Sequence, residues 1–280
     1  MRPQQWVKNF FVMTPLLFSG RASETGEVVR SALAFAVFCL VASAVYTWND
    51  VADRAADRAH PVKRHRPVAS GRISIGGALA LGAVLCGLGL TFGWLVEPRL
   101  ALVAASYLGL NLLYTLKLKQ VVILDVFCIA AFFVMRLLGG AAAIHVRPSI
   151  WLLLCGGLLS LYLGFAKRRH ELTLLGGNST EHRSVLADYS PVFLDQMSVV
   201  LLSVTIVSYI MYTLSKFEEI GSYALTYSTV FVFYGVFRYL YLVHQRESGS
   251  PTETLLTDRS LFSAVVLWFL FCAWVVYRPF

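Results

Sequence analysis

The chain has 280 residues, 57% of them hydrophobic and 14% charged, with a mean hydropathy of +0.65 and a formal charge of +8. A soluble domain carries about a quarter charged residues, so composition excludes an ordinary soluble enzyme and points to an all-α polytopic membrane protein. The positive charge lies in clusters between apolar runs, which favours membrane lipids as partners and excludes nucleic acid.

The first apolar run, at about residues 6–20, follows a basic start but no small-residue cleavage site, so it is expected to stay in the membrane. Pro15 interrupts it, which neighbouring helices can accommodate. Trp6 and Lys8 have the character of interface anchors, and Asn9 beside Lys8 suits a contact with a substrate. Eight further spans are predicted at about 28–48, 74–94, 99–116, 121–143, 149–167, 191–214, 223–243 and 260–278. Neither a repeat nor a long linker divides the nine, so residues 1–280 are read as one catalytic domain. Cys39, Cys86, Cys128, Cys155 and Cys272 stand singly inside apolar runs without metal-ligand spacing and read as packing residues.

Charge orients the spans. Sixteen lysines and arginines, from Arg2 to Arg259, fall in the N-terminal segment and one set of loops, against six, from Arg21 to Arg278, on the other side. By the positive-inside rule the N-terminus is cytoplasmic and the C-terminus outside, in an inner (cytoplasmic) membrane. The loops at about 49–73 and 168–190 then face the cytosol as walls of a polar cavity.

The first of these loops carries the strongest chemical signal, Asn49-Asp50-Val51-Ala52-Asp53-Arg54-Ala55-Ala56-Asp57, followed by Lys63, Arg64 and Arg66. Carboxylates at i, i+3 and i+7 share one face of an α-helix. Three like charges on one stripe repel each other unless a cation joins them. Oxygen ligands suit Mg²⁺, with Mn²⁺ as a substitute, and Mg²⁺ completes its shell with substrate phosphates. The basic residues that follow would meet the same phosphates. The second loop offers Lys167, Arg168, Arg169, His170 and Glu171, then Glu181, Arg183, Asp188 and Tyr189.

Charges within spans cost roughly 2.5–3.5 kcal/mol each on the lenient insertion scale. Arg136 reads as an anion ligand. Asp125, about three turns away on the same helix, is expected to hold Lys117, Lys119 or Arg136. Arg238 is expected to snorkel towards headgroups, and Asp195 needs no function. Gly139, Gly140 and the alanines after them read as close helix packing. The sequence has no Ser/His/Asp set, Gly-rich phosphate loop or His cluster.

The run Asn49-Asp50-x-x-Asp53-x-x-x-Asp57, then His60-Pro61-x-Lys63-Arg64-x-Arg66-Pro67-x-Ala69-x-Gly71, resembles the first signature of the UbiA-type membrane prenyltransferase superfamily. The resemblance is strongest to its branch of decaprenyl-phosphate phosphoribosyltransferases. It extends to Arg2-Pro3-x-Gln5-Trp6-Val7-Lys8-Asn9, Ser43-Ala44-Val45-Tyr46, Arg136 with its glycines, Lys167-Arg168-x-x-Glu171-Leu172 and Arg238-Tyr239. It implies a UbiA-like bundle of about nine helices around a cytosol-facing cavity. The implied reaction is Mg²⁺-dependent transfer of phosphoribose from phosphoribosyl pyrophosphate to a polyprenyl phosphate, in the synthesis of a lipid-linked arabinose donor for cell-wall polysaccharide.

By the same resemblance Asp50, Asp53 and Asp57 hold the metal and, with Lys8, are catalytic. The resemblance also makes Lys8, Lys63, Arg66, Arg136 and Lys167 phosphate ligands, and Asn49, Arg64, Arg168, Tyr189 and Arg238 are further candidates for substrate contact. Aromatic prenyltransferases of the superfamily carry a second Asp-rich motif in the loop corresponding to 168–190. Here Glu171, Glu181 and Asp188 are too widely spaced for one. The competing readings are an aromatic or haem prenyltransferase with a prenyl diphosphate donor, and a transporter for an anionic lipid; a homo-oligomer is left open.

Overall fold

A computed structural model describes residues 3–59, 63–175, 186, 188–245, 254–255 and 257–277. The expectations placed on Arg2, His60, Pro61, Glu181, Arg183, Arg246 and Arg278 lie outside them. The described residues are helical, with no strand among them. We number the longer helices α1 (Thr14–Phe18), α2 (Thr25–Ala52), α3 (Arg54–Ala59), α4 (Ile75–Val96), α5 (Pro98–Leu116), α6 (Leu124–Ala143), α7 (Ile150–Leu175), α8 (Pro191–Ser215), α9 (Thr229–Gln245) and α10 (Arg259–Tyr277).

Among the described residues α2, α4, α5, α6, α7, α8 and α10 are long and apolar enough to cross a membrane. The chain is an integral membrane protein. The other two predicted spans take mixed forms. The first is a 3-10 helix, Pro3–Met13, that gives way to α1 where Pro15 stands in the first turn. Proline has no N–H to donate, so the chain changes helix type there rather than running through. The eighth is a short 3-10 helix, Tyr223–Ser228, leading into the 17 residues of α9. The largest boundary shift is at α7, which continues to Leu175, so Arg168 and Arg169 are helical rather than loop residues.

Several helix starts follow local chemistry. Ser74 and Ser190 accept hydrogen bonds from the backbone of Gly77 and Phe193 as N-caps of α4 and α8, and α5 and α8 open with proline.

The described residues form two compact units. The first holds residues 3–121 and 132–148. Its core gathers Val12, Phe38, Val41, Leu100 and Tyr107, with α2 packed chiefly against α4. Gly139 and Gly140 are required here. A Cβ at Gly139 would fall 2.3 Å from the Phe38 ring, and one at Gly140 only 1.9 Å from the Val12 carbonyl oxygen. The second unit holds residues 122–131 and the described residues from 149 to 277, with α7 packed against α8. One of its cores centres on Tyr162, Leu202 and Tyr239, another on Val126, Phe165, Tyr189 and Leu194. Helix α6 contributes its first residues to the second unit and the rest to the first.

Candidate active site

The acidic motif lies in the first unit, where α2 ends. It is not one continuous helix. Asp53 is the C-cap of α2, at φ −91° and ψ 7°, and α3 starts at Arg54. The i to i−4 pattern still crosses the break, with Asp53 N–H donating to the Asn49 carbonyl (2.9 Å) and Asp57 N–H to that of Asp53 (2.8 Å). The expected single stripe is therefore divided. Asp50 and Asp57 both turn to Arg66, whose Nη1 donates to Asp57 Oδ2 at 2.7 Å and lies 3.5 Å from Asp50 Oδ1. Asp53 is paired separately, accepting from Lys119 Nζ at 2.9 Å. Both Asp50 and Asp57 are buried, whereas the Asp53 side chain is 43% exposed.

Arg66 reaches the carboxylates because the segment after α3 folds back. Arg58 Nε donates to the Ala69 carbonyl at 2.9 Å, and Arg54 Nε to that of Val68 at 3.4 Å. Ser70 N–H donates to the Arg66 carbonyl, and Gly71 closes the turn at φ +80°, where a side chain would be strained. Lys63 and Arg64 are exposed beside it. Asn49 Oδ1 accepts from the Thr115 hydroxyl at 2.6 Å, tying the start of the motif to α5.

The donor set fits a hard divalent ion. Two carboxylate oxygens converge on one cationic nitrogen, and oxygen donors of this kind suit such an ion. Among the described residues no three Asp, Glu, His or Cys side chains form a complete metal site. An ion held by Asp50 and Asp57 would take its remaining ligands from Asp53, water or substrate phosphate, as Mg²⁺ commonly does.

The same unit holds Arg136, 3% exposed in mid-helix. Its Nε donates to Asn9 Oδ1 (2.8 Å), Nη1 to the Phe132 carbonyl (2.7 Å) and Nη2 to the Tyr107 hydroxyl (3.0 Å). Its guanidinium carbon lies 5.0 Å from the Tyr107 ring centroid. All of these are neutral acceptors or π faces, so the hydrogen bonds hold the group in place without cancelling its charge. Asn9, fully buried, also donates to Cys39 Sγ at 3.2 Å. Lys8, next to it, is half-buried. Trp6 is more than an interface anchor, since its indole N–H donates to Ser43 Oγ at 3.2 Å.

In the second unit the expected partners of Asp125 are corrected. It pairs with neither Lys117, Lys119 nor Arg136 but with Arg168, whose Nε lies 2.7 Å from Asp125 Oδ2, both side chains fully buried. Glu171 joins Arg168 from one turn along α7. Tyr189 donates its hydroxyl proton to Asp125 Oδ1 (2.8 Å) and accepts from the Ile123 N–H (2.6 Å). Burial pushes the Tyr189 phenol above its ordinary range, and its bond to the Asp125 carboxylate raises it further, so it stays a donor. Arg168 and Tyr189 were expected to contact substrate; the structure places both in this enclosed network.

Lys167 projects from the same turn of α7 with its side chain 49% exposed, 3.8 Å from Glu171 Oε1. Arg169 pairs with Asp195 at 2.5 Å. Arg238 does not simply snorkel. It makes a two-pronged pair with Asp258 at 3.2 and 2.7 Å, and Asp258 Oδ1 also accepts the Leu261 N–H in the first turn of α10. Sequence reasoning missed Tyr107, Thr115 and Asp258. Only Asp258 carried a local signal, as an acid next to a helix start.

The sequence matches the UbiA prenyltransferase family over residues 10–265. The chain belongs to this family. Among UbiA relatives it is 31% identical to the decaprenyl-phosphate phosphoribosyltransferase of Mycolicibacterium smegmatis, over 98% of this chain and 88% of that one. To the protein of the same name from Mycobacterium tuberculosis it is 32% identical, over 96% and 90%. The UbiA homologue from Archaeoglobus fulgidus, solved bound to GPP and Mg²⁺, superposes with a TM-score of 0.72 over 99% of this chain and 98% of that one, at 16% identity. That likeness concerns the fold, which is the UbiA helical bundle.

Proposed function

We propose that this UbiA protein transfers 5-phosphoribose from phosphoribosyl pyrophosphate to a polyprenyl phosphate of the decaprenyl type, releasing diphosphate. The product would feed the lipid-linked arabinose donor for cell-wall polysaccharide. The observation that carries the reading is the near full-length likeness to two enzymes named for that transfer. The paired carboxylates with their arginine, and a second cation, Arg136, held among the described residues by neutral hydrogen-bond acceptors, are consistent with a donor bearing two separate anionic groups.

In this reading Asp50 and Asp57, with Asp53, hold Mg²⁺, which when bound stabilises negative charge on the leaving diphosphate. Mn²⁺ serves as a substitute. Arg66, Lys63 and Arg64 receive diphosphate oxygens, and Asn49 orders the start of the motif. Arg136, positioned by Asn9 and Tyr107, and Lys8 are candidate ligands for the second anion. Arg168, Tyr189 and Arg238 hold helices in place. The bond from ribose C1 to the diphosphate oxygen breaks as a lipid phosphate oxygen bonds to C1. That oxygen is already ionised at neutral pH, so the protein supplies no strong general base and acts by positioning and by stabilising charge.

The reading treats residues 1–280 as one catalytic domain, supported by the unbroken family match. It places the site and the N-terminus in the cytoplasm and the C-terminus outside, supported by the lysine and arginine asymmetry. The test supplies purified enzyme with labelled phosphoribosyl pyrophosphate and decaprenyl phosphate and extracts the lipid. Label in the lipid fraction, with diphosphate released, is the expected result. Failure with this donor, with transfer from a prenyl diphosphate to an aromatic acid instead, refutes the reading.

A further inference from the structure

We infer that Arg66 makes the carboxylate site selective for a metal ion that arrives with a diphosphate, by acting as the internal counter-ion that a bare metal ion would have to displace. The inference rests on the reading of Asp50 and Asp57 as metal ligands and adds a competition within the chain itself.

The geometry is specific. One nitrogen, Arg66 Nη1, lies 2.7 Å from Asp57 and 3.5 Å from Asp50, whose side chains are 5% and 11% exposed. Two acids so shielded from water repel each other strongly unless a cation joins them. Arg66 is that cation, and it comes from the chain. Its own side chain is 27% exposed, and its backbone belongs to a turn gripped by Arg54 and Arg58. The backbone of the turn is anchored while the Arg66 side chain is partly open to water, so the guanidinium is the part that can leave.

A divalent ion entering alone would take the carboxylates and strand Arg66 without its counter-charge. An ion entering with a diphosphate brings phosphate oxygens, which a guanidinium binds well through paired N–H groups. The displaced arginine is then compensated. By linkage, anything that makes the ion depend on the diphosphate makes the diphosphate depend on the ion to the same degree.

The test uses the full-length protein in detergent, without substrate, and titrates Mn²⁺ while the unbound ion is followed by electron paramagnetic resonance. Arg66→Gln should bind Mn²⁺ at least about tenfold more tightly than wild type, the scale of a close charge pair's coupling. Arg66→Lys, which keeps the charge, should stay near wild type, and adding Asp50→Asn to Arg66→Gln should abolish the gain. Arg66→Gln should also melt below wild type without metal and rise further than wild type when Mn²⁺ is added. A variant that folds only with Mn²⁺, and unfolds on chelation, supports the inference equally. Wild-type or weaker Mn²⁺ affinity in Arg66→Gln, including no detectable binding, overturns it. If Asp50→Asn and Asp57→Asn leave wild-type Mn²⁺ binding unchanged, the metal-ligand reading itself falls; if they weaken it and Arg66→Gln does not strengthen it, only the counter-ion role falls.

Discussion

Asn9 accepts a 2.8 Å hydrogen bond from the guanidinium of Arg136, a residue 127 positions further along the chain. The first, largely 3-10, segment is thereby joined to the middle of α6 through a charged group with neutral partners. Removing either end should be felt at a distance from the metal ligands. Arg136→Ala is expected to raise the KM for phosphoribosyl pyrophosphate far more than for the lipid acceptor, and Tyr107→Phe to raise it less. Asn9→Leu, which leaves a buried donor unmatched, should also destabilise the protein by about 1–3 kcal/mol. Steady-state kinetics with each substrate varied in turn, and thermal melts in detergent, check these outcomes.

Metal dependence follows from the carboxylates. Asp50→Asn and Asp57→Asn are expected to abolish turnover in proteins that still fold, because each removes a metal ligand and almost no volume. Wild-type activity should vanish in excess chelator and return with Mg²⁺ or Mn²⁺. Full activity in chelator would refute metal involvement.

The buried Asp125–Arg168 pair predicts a stability effect with a characteristic rescue. Asp125→Leu alone takes from a fully buried guanidinium one of its two carboxylates, leaves the Tyr189 hydroxyl without that acceptor, and should cost about 3–5 kcal/mol. Pairing it with Arg168→Met should recover most of that loss, since apolar replacement of both partners is often close to neutral. Denaturation of the two single variants and the double variant measures the coupling.

Gly140→Ala tests the contact between α6 and the N-terminal segment. The added methyl cannot coexist with the Val12 carbonyl as placed, 1.9 Å away. A loss of about 1–3 kcal/mol is expected, with easier proteolysis ahead of α2. Gly109→Ala, where a Cβ would meet nothing within 4 Å, serves as the control.

Topology is tested by labelling. A cysteine introduced at Phe280 should react with an impermeant thiol reagent in intact cells, and one at His65 should not. The opposite pattern would reverse the orientation and separate the acidic motif from cytosolic substrates.

The apolar runs were legible because length and hydropathy suffice to mark them, and the motif around Asp50 was legible because three acids beside a basic cluster have few other uses. The break at Asp53 was not, since neither glycine nor proline announces it and the segment is shaped by Arg54 and Arg58 reaching Val68 and Ala69. Partner choice was equally hidden. Helical periodicity says which face Asp125 occupies but not that Arg168, 43 residues on, will meet it, nor that Lys119 will cross 66 positions to reach Asp53. The same limit applied to Tyr107, which as sequence is one apolar position among many in α5.

Arg54 and Arg58 grip main-chain oxygens, an atom type every amino acid carries. Replacing the exposed Ser70 or Pro67 therefore leaves their handholds in place, and a scan of this turn should find those positions permissive. The intolerant positions should be the two arginines, the buried Val68 and Ala69, and Gly71. The segment that carries Arg66 to the carboxylates can thus drift in side-chain identity while keeping its path.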